Sequence, residues 1–523
     1  MALENRKDKI YLVGGGIASL SATFFLLEDA MVPGENITII DSGKLMGGSL
    51  DGEMQNESGA YIMRGHRILD SRTFECTFAM LDRIESKIEK GKSIKKEIMD
   101  FNEKVKTHTL ARLVERGKVV DSHSLGLNKK QRKLLAKLFL YQEKNITDLR
   151  INDYFDDGFF KTNFWLEFAT TFAFQPWHSL IEFKRYILRS FHALKYYDTM
   201  DCIIVPPYCY HDSIVMPLIH YLRERKVNFM NKTRVIDLEL NETDDKVLKI
   251  ILDSGLIDLN EDDKVIATIG SMTAHSSFGS NKNSINNHNY TKDNAWEFWE
   301  RLASKNFDFG NPRVFDDHEY RSNWMSFSIT FKNSLFFDKM EKLTGNKTGT
   351  SGGTTLKRSN WFMSIGLPHQ PHFLNQDKSI QVAWGYALSP KNKGDFVAKS
   401  MLECSGEEIL TELCYHLGFE DDLEKILASA ITIPVYMPMI TSQFSLRKIE
   451  DRPQVIPGSI NNLAFIGQYV EIPGDISFTV EYSVRSAQMA VYGLFGIKKK
   501  IPKIYKGYRN IFNILSVTKT IFR

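Results

Sequence analysis

The sequence predicts an α/β protein in which a parallel-sheet domain is assembled from several separated segments, with a substrate domain and peripheral helical regions. Three observations carry this. A short apolar run near the start leads directly into a glycine cluster and a helical stretch. A second apolar run ends on a carboxylate, and two more strand-and-glycine pieces recur far downstream.

Ile10-Tyr-Leu-Val13 reads as a buried strand, followed by Gly14-Gly-Gly16-Ile-Ala-Ser19 and a helical stretch from Leu20 to Leu27. In a Rossmann βαβ opening, Gly14 permits the tight turn, Gly16 lets the backbone approach a pyrophosphate, and small Ser19 stands where helix meets strand. Phosphates would sit on the helix N-terminus, where unpaired N–H groups favour anions. Asn36-Ile-Thr-Ile-Ile40 supplies the second strand, and Asp41 ends it where a carboxylate hydrogen-bonds a ribose. The spacing is long for the nicotinamide form and usual for FAD proteins, which insert a turn such as Met31-Val-Pro-Gly34. A second glycine turn, with Gly47, Gly48 and Ser49, is of the type placed against the diphosphate. Lys264-Val-Ile-Ala-Thr-Ile-Gly270 reads as a late strand and turn of the same domain. Asn462-Leu-Ala-Phe-Ile-Gly467 reads as its last strand, after which residues such as Thr479 reach the flavin ring. Four co-ordered pieces favour a Rossmann-like FAD-binding domain over NAD, and over separate buried strands with no ligand.

Composition bounds the rest. At 523 residues the chain exceeds what one core usually organises. Its 67 basic and 64 acidic residues are too balanced for a nucleic-acid partner. Five scattered cysteines without a C-x-x-C pair fit a reducing compartment. The start lacks the apolar core of a signal peptide, and no uncharged run reaches the roughly 20 residues needed to cross a bilayer. The expected location is cytoplasmic, soluble or peripheral at a membrane. His178, His369 and His372 lack metal-ligand spacing, so no metal is assigned, and no G-x-S-x-G or Cys/His signature stands out.

The expected layout places the FAD-binding domain in residues 1–75, 196–275 and 441–490. A helical region covering the channel spans 76–195, a substrate domain 276–440, and a basic C-terminal helical segment 491–523.

Several segments have the order found in one family: Phe172-Ala-Phe-Gln-Pro-Trp-His178, Glu182-Phe-Lys-Arg-Tyr186, Pro371-His-Phe373, Asp451-Arg-Pro-Gln-Val-Ile-Pro457 and Phe478-Thr-Val-Glu-Tyr-Ser-Val-Arg485. Over nearly its whole length the chain resembles the oleate hydratases, flavoproteins of the myosin-cross-reactive antigen family. The resemblance implies hydration of a free unsaturated fatty acid, with FAD undergoing no net redox change. It implies that Tyr186 donates the proton; an ordinary tyrosine needs nearby positive charge for this, and Lys184 and Arg185 are adjacent in sequence, whether facing Tyr186 or pointing elsewhere. The family's water-polarising glutamate is matched by Ile68, in Arg64-Gly65-His66-Arg67-Ile68-Leu69-Asp70. Isoleucine accepts no proton, so the alternatives are Asp70, His66, backbone carbonyls, or weak catalysis. Arg64 and Gly65 remain expected flavin-facing residues. Thr441 and Gln443 are expected to line the pocket near the flavin, or else to form a polar strand end.

Two rivals share these features: a flavin-dependent oxidoreductase of the amine oxidase or desaturase type, and a lipid- or flavin-binding homologue that has lost catalysis. The C-terminal stretch from Lys498 carries eight basic residues and no acidic ones. Ile504, Tyr508, Ile511, Phe512 and Leu515 are expected to form one apolar face, suited to an anionic membrane surface or to docking on the protein body.

Overall fold

The computed structural model describes residues 8–43, 45–50, 52–53, 59–65, 67–285 and 294–522. Its nucleus is a five-stranded parallel sheet ordered Leu463–Ile466, Lys264–Thr268, Ile10–Val13, Ile37–Asp41, Asn228–Asn231. The strands come from three distant stretches of chain because parallel neighbours need crossover connections, and the crossovers here carry whole excursions. Helix Ile17–Glu28 is buried along nearly all its length and packs on helix Val480–Leu494. Its even hydrophobicity suits a helix covered on every side. A three-stranded antiparallel sheet, Val235–Leu240, Val247–Leu252 and Gly255–Asp258, adjoins this domain.

The second domain is an eight-stranded sheet ordered Ser277–Phe278, Ala430–Met437, Trp324–Phe331, Gln381–Ala387, Met363–Gly366, Thr354–Leu356, Leu113–Glu115, Lys118–Val120. The central strand Trp324–Phe331 shows how its two faces are used. Met325, Phe327, Ile329 and Phe331 bury against helices Leu335–Thr344 and Gly406–Leu417. On the opposite face, Ser328 Oγ accepts the Met63 N–H at 2.8 Å and Thr330 Oγ1 accepts the Tyr61 N–H at 3.0 Å. The alternation of strand side chains thereby clamps the segment that leads into Arg64–Asp70.

Two expectations need correction. Region 76–195 is not purely helical: it supplies strands Leu113–Glu115 and Lys118–Val120 to the larger sheet, where Thr355 and Leu356 pair with Leu113 and Val114 in parallel. The C-terminal apolar residues do not share one face. Ile504 packs on the main core, whereas Ile511, Phe512 and Leu515 on helix Ile511–Phe522 are 59%, 76% and 62% exposed. The inward positions of that helix are Asn513 and Val517.

Candidate active site

Two cavities meet in the interior. One follows the C-terminal ends of the parallel strands and is lined by Gly14, Gly16, Asp41, Gly48, Ser49, Gly467 and Thr479. Gly14 holds a φ of +92°, which favours glycine. A Cβ at Gly15 would run into Met46 and Asp41, whereas one at Gly16 would meet nothing nearer than Gly48 Cα at 3.9 Å. Gly16 is therefore open on the cleft side, at the N-cap of helix Ile17–Glu28, as a backbone must be to approach a diphosphate. The second glycine turn lies directly against the first: Gly47 N–H donates to Gly15 O at 2.9 Å. The Asp41 carboxylate accepts Gly15 N–H at 2.5 Å and Gly43 N–H at 2.6 Å, leaving further lone pairs for a ribose. These residues fit a dinucleotide.

Other expected cofactor residues lie behind this surface. Ser19 is fully buried, with its hydroxyl 3.1 Å from Thr268 Oγ1, tying helix to strand. Gly47 faces Val215, and Gly270 makes room for the Tyr469 ring. Arg64 donates to Thr273 O at 3.1 Å and Gly48 O at 3.1 Å, bracing the turn, and Gly65 lies beside Arg67. Residues missed in the sequence but present in the wall include Thr233, Gln468 and Ser483. Their contribution comes from long-range packing, for which no local motif exists. Thr479 caps helix Val480–Leu494 by accepting Tyr482 N–H, so a second helix N-terminus points at the cleft.

The other cavity is largely apolar, and its walls include Phe168, Phe172, Tyr186, Trp324, Trp384 and Phe478. Arg67, Phe478, Thr479 and Val480 belong to both cavities, so the apolar channel opens where the dinucleotide cleft ends. Tyr186 sits on helix Leu180–Arg189, is 1% exposed, and donates its hydroxyl to Ser477 O at 2.5 Å. Burial, with Glu182 and Asp475, pushes its phenol well above the ordinary range, while Arg452 and Arg67 act in the opposite sense. The hydroxyl therefore keeps its proton. The expected helpers differ: Lys184 bonds Tyr141 O, and Arg185 is paired with Glu143 and Glu471, each at 2.7 Å. Helix geometry turns adjacent residues to different faces, so sequence neighbours are not spatial neighbours.

A buried ionic network fixes this helix. Arg447 pairs with Glu182 at 2.8 Å and with Glu471 at 2.9 Å. Although burial opposes it, Arg452, Arg447 and Arg185 hold the Glu182 carboxyl down at about 2. Arg189 and Arg485 both reach Asp475, at 3.0 and 2.9 Å, binding the helix to the segment that carries Ser477 and Phe478.

Ile68 and Asp70 both stand in the channel wall. His66 lies outside the described residues. Thr441 and Gln443 are corrected: both are buried but neither lines either of these two cavities. Thr441 Oγ1 is bonded to Ser322 O at 3.0 Å, and Gln443 lies under Arg452, which donates to its carbonyl at 2.6 Å.

Fold and site together define a Rossmann-like protein whose glycine-lined cleft suits a dinucleotide, with an apolar channel abutting that cleft. Solved structures share the fold. A cyclohexylamine oxidase from Brevibacterium oxydans matches with TM-score 0.55 at 11% identity, covering 94% of this chain and 99% of that one. A putative protoporphyrinogen oxidase from an Exiguobacterium species matches with TM-score 0.51 at 12% identity, over 94% and 99%. The chain belongs to the MCRA family, whose model matches residues 7–492. Among curated proteins it is 36% identical to an oleate hydratase of Streptococcus pyogenes, over 98% of this chain and 89% of that protein. It is 31% identical to a linoleate hydratase of Lactiplantibacillus plantarum, over 99% of each.

Proposed function

We propose that this protein is a fatty acid hydratase, adding water to the cis double bond of oleate or a related free unsaturated fatty acid to give a 10-hydroxy product. The observation that carries the reading is the shared wall: an apolar channel holding a buried, protonated Tyr186 ends at the dinucleotide cleft. An isolated alkene is a weak base, so hydration needs an acid held against one carbon and water against the other, in a channel that admits the chain in one orientation. Tyr186 supplies the acid, and Arg67 and Arg452 supply the positive field that favours its ionised form as the proton leaves. The cleft residues would hold FAD, which supplies a polar, electron-poor wall beside the channel and no net redox change.

The test is incubation with oleate and with linoleate in the presence of FAD, read by product mass. Gain of one water supports the reading. Loss of two hydrogens would replace it with a flavin-dependent oxidation.

The reading extends to reversible contact with an anionic membrane surface, where such substrates partition. Its support is the C-terminal helix, with Ile511, Phe512, Leu515 and Phe522 exposed next to a stretch rich in lysine. No helix among the described residues is long and apolar enough to cross a membrane. Residues 502–505 are tied to the body through Arg485 to Pro502 O at 2.6 Å and Tyr505 N–H to Glu75 at 2.7 Å, so the informative truncation removes residues 511–523. Loss of sedimentation with phosphatidylglycerol vesicles on truncation is expected, and equal sedimentation would exclude this helix as the anchor.

A further inference from the structure

The channel wall carries a carboxylate, Asp70, two residues beyond Ile68. Ile68 leaves an apolar surface where a carboxylate would polarise water, but the wall continues through Leu69 to Asp70. Ile68 and Asp70 both reach the wall, and Asp70 is the one acidic side chain lining this cavity among the described residues. Strand Leu69–Asp70 is fixed by antiparallel pairing with Ile203–Ile204.

The Asp70 carboxylate is held on both oxygens. Oδ1 accepts the Arg72 N–H at 2.8 Å, and Oδ2 lies 2.6 Å from His192 Nε2. A short contact to a carboxylate assigns the imidazole proton to Nε2. His192 is fully buried, and among the described residues its Nδ1 has no hydrogen-bond partner, so none of them offers the ring a competing bond. The Tyr505 ring packs edge-on at 5.3 Å, and Gly507 lies so near that a Cβ there would come within 3.3 Å of the His192 Cβ. The C-terminal segment thus locks a histidine whose visible task is to orient one carboxylate into the channel.

We propose that Asp70 takes the proton from the attacking water in this chain and that His192 is its positioning residue. This rests on the hydratase reading. The π electrons form the new C–H bond with the Tyr186 proton, water oxygen bonds the other carbon, and the water O–H breaks toward Asp70. The proton on Asp70 then returns through cavity water to the Tyr186 oxygen. No electron is gained or lost overall.

The experiment uses the full-length, flavin-loaded protein with oleate and linoleate as probes. Asp70→Asn, which keeps shape and hydrogen bonding, is expected to lower kcat by about 10²-fold or more with KM, flavin content and melting temperature unchanged. His192→Leu should lower kcat in the same sense, and His192→Gln, which retains a donor near the Nε2 position, should recover most of it. Ile68→Glu added to Asp70→Asn should restore turnover, because it returns a carboxylate to the same cavity wall. An Asp70→Asn protein within twofold of wild type overturns the assignment alone. If Asp70→Asn loses flavin or unfolds, equal kcat for the two His192 variants overturns it instead. Absence of water addition by the wild type overturns the hydratase reading and this assignment with it.

Discussion

Tyr186 shows how burial sets a residue's chemistry. Its ring packs against Phe172, Phe174 and Phe444 and its hydroxyl donates to a carbonyl, so Tyr186→Phe removes one oxygen from a packed site. Hydration should fall by about 10²–10⁴ with the fold retained, and a change below twofold in steady-state turnover would remove Tyr186 from the chemistry. Glu167 makes a different case at the same scale. Burial, outweighing the Arg112 guanidinium 3.6 Å away, pushes its carboxyl up to about 7. Because the folded value lies above the unfolded one, the stabilisation is complete below about pH 4.5 and is lost as pH rises through about 7. Glu167→Gln lacks this loss. Denaturant titrations at pH 4 and pH 8 should move by up to about 3 kcal/mol in favour of the variant at the higher pH. An unchanged difference would place the titration of Glu167 elsewhere.

Among the elements, the first glycine turn and the helix after it are built for one contact. Gly16 has an ordinary φ of −75° and open space beside it, so a larger residue there strains nothing within the protein. Gly16→Val should therefore fold normally yet lose flavin, because the branched side chain would fill the space against a diphosphate. Undiminished absorbance of bound flavin in the purified variant would remove this turn from the binding site. Helix Leu180–Arg189 follows the opposite logic. Glu182, Arg185 and Arg189 are all buried and all ion-paired, so its orientation is set by long-range partners rather than by its own caps.

For the molecule as a whole, the dinucleotide cleft is shared by chain segments near residues 14, 48, 268 and 467, so ligand that bridges them opposes unfolding of all of them together. Added FAD should raise the melting temperature in a concentration-dependent way, by about 2.7 kcal/mol of stability at a hundredfold excess over Kd. A midpoint independent of FAD would disqualify the cleft. The two sheets meet over the segment from Tyr61 to Asp70, which the larger sheet clamps through Ser328 and Thr330 while Arg67 enters both cavities. The walls of the two cavities are thereby held to one another through one short segment of chain.

The parallel-sheet opening, the glycine turns and the late strands Lys264–Thr268 and Leu463–Ile466 were legible because each is a local pattern: an apolar run, a glycine where a side chain would clash, a carboxylate at a strand end. Tyr186 was legible through its segment's resemblance, although the charges facing it, Arg67 and Arg452, were not. His192 carries no motif, and it gains meaning only when strand pairing and the C-terminal segment bring it against Asp70. Thr441 and Gln443 were misplaced because polarity along a chain does not say whether a side chain faces a channel or, like the Thr441 hydroxyl on Ser322 O, turns into the packed interior. The sequence by itself determined which elements form and what ligand the glycine turns can admit. Tertiary packing decided which side chains share a cavity, because residues hundreds of positions apart converge there only after both sheets have closed on the same short segment.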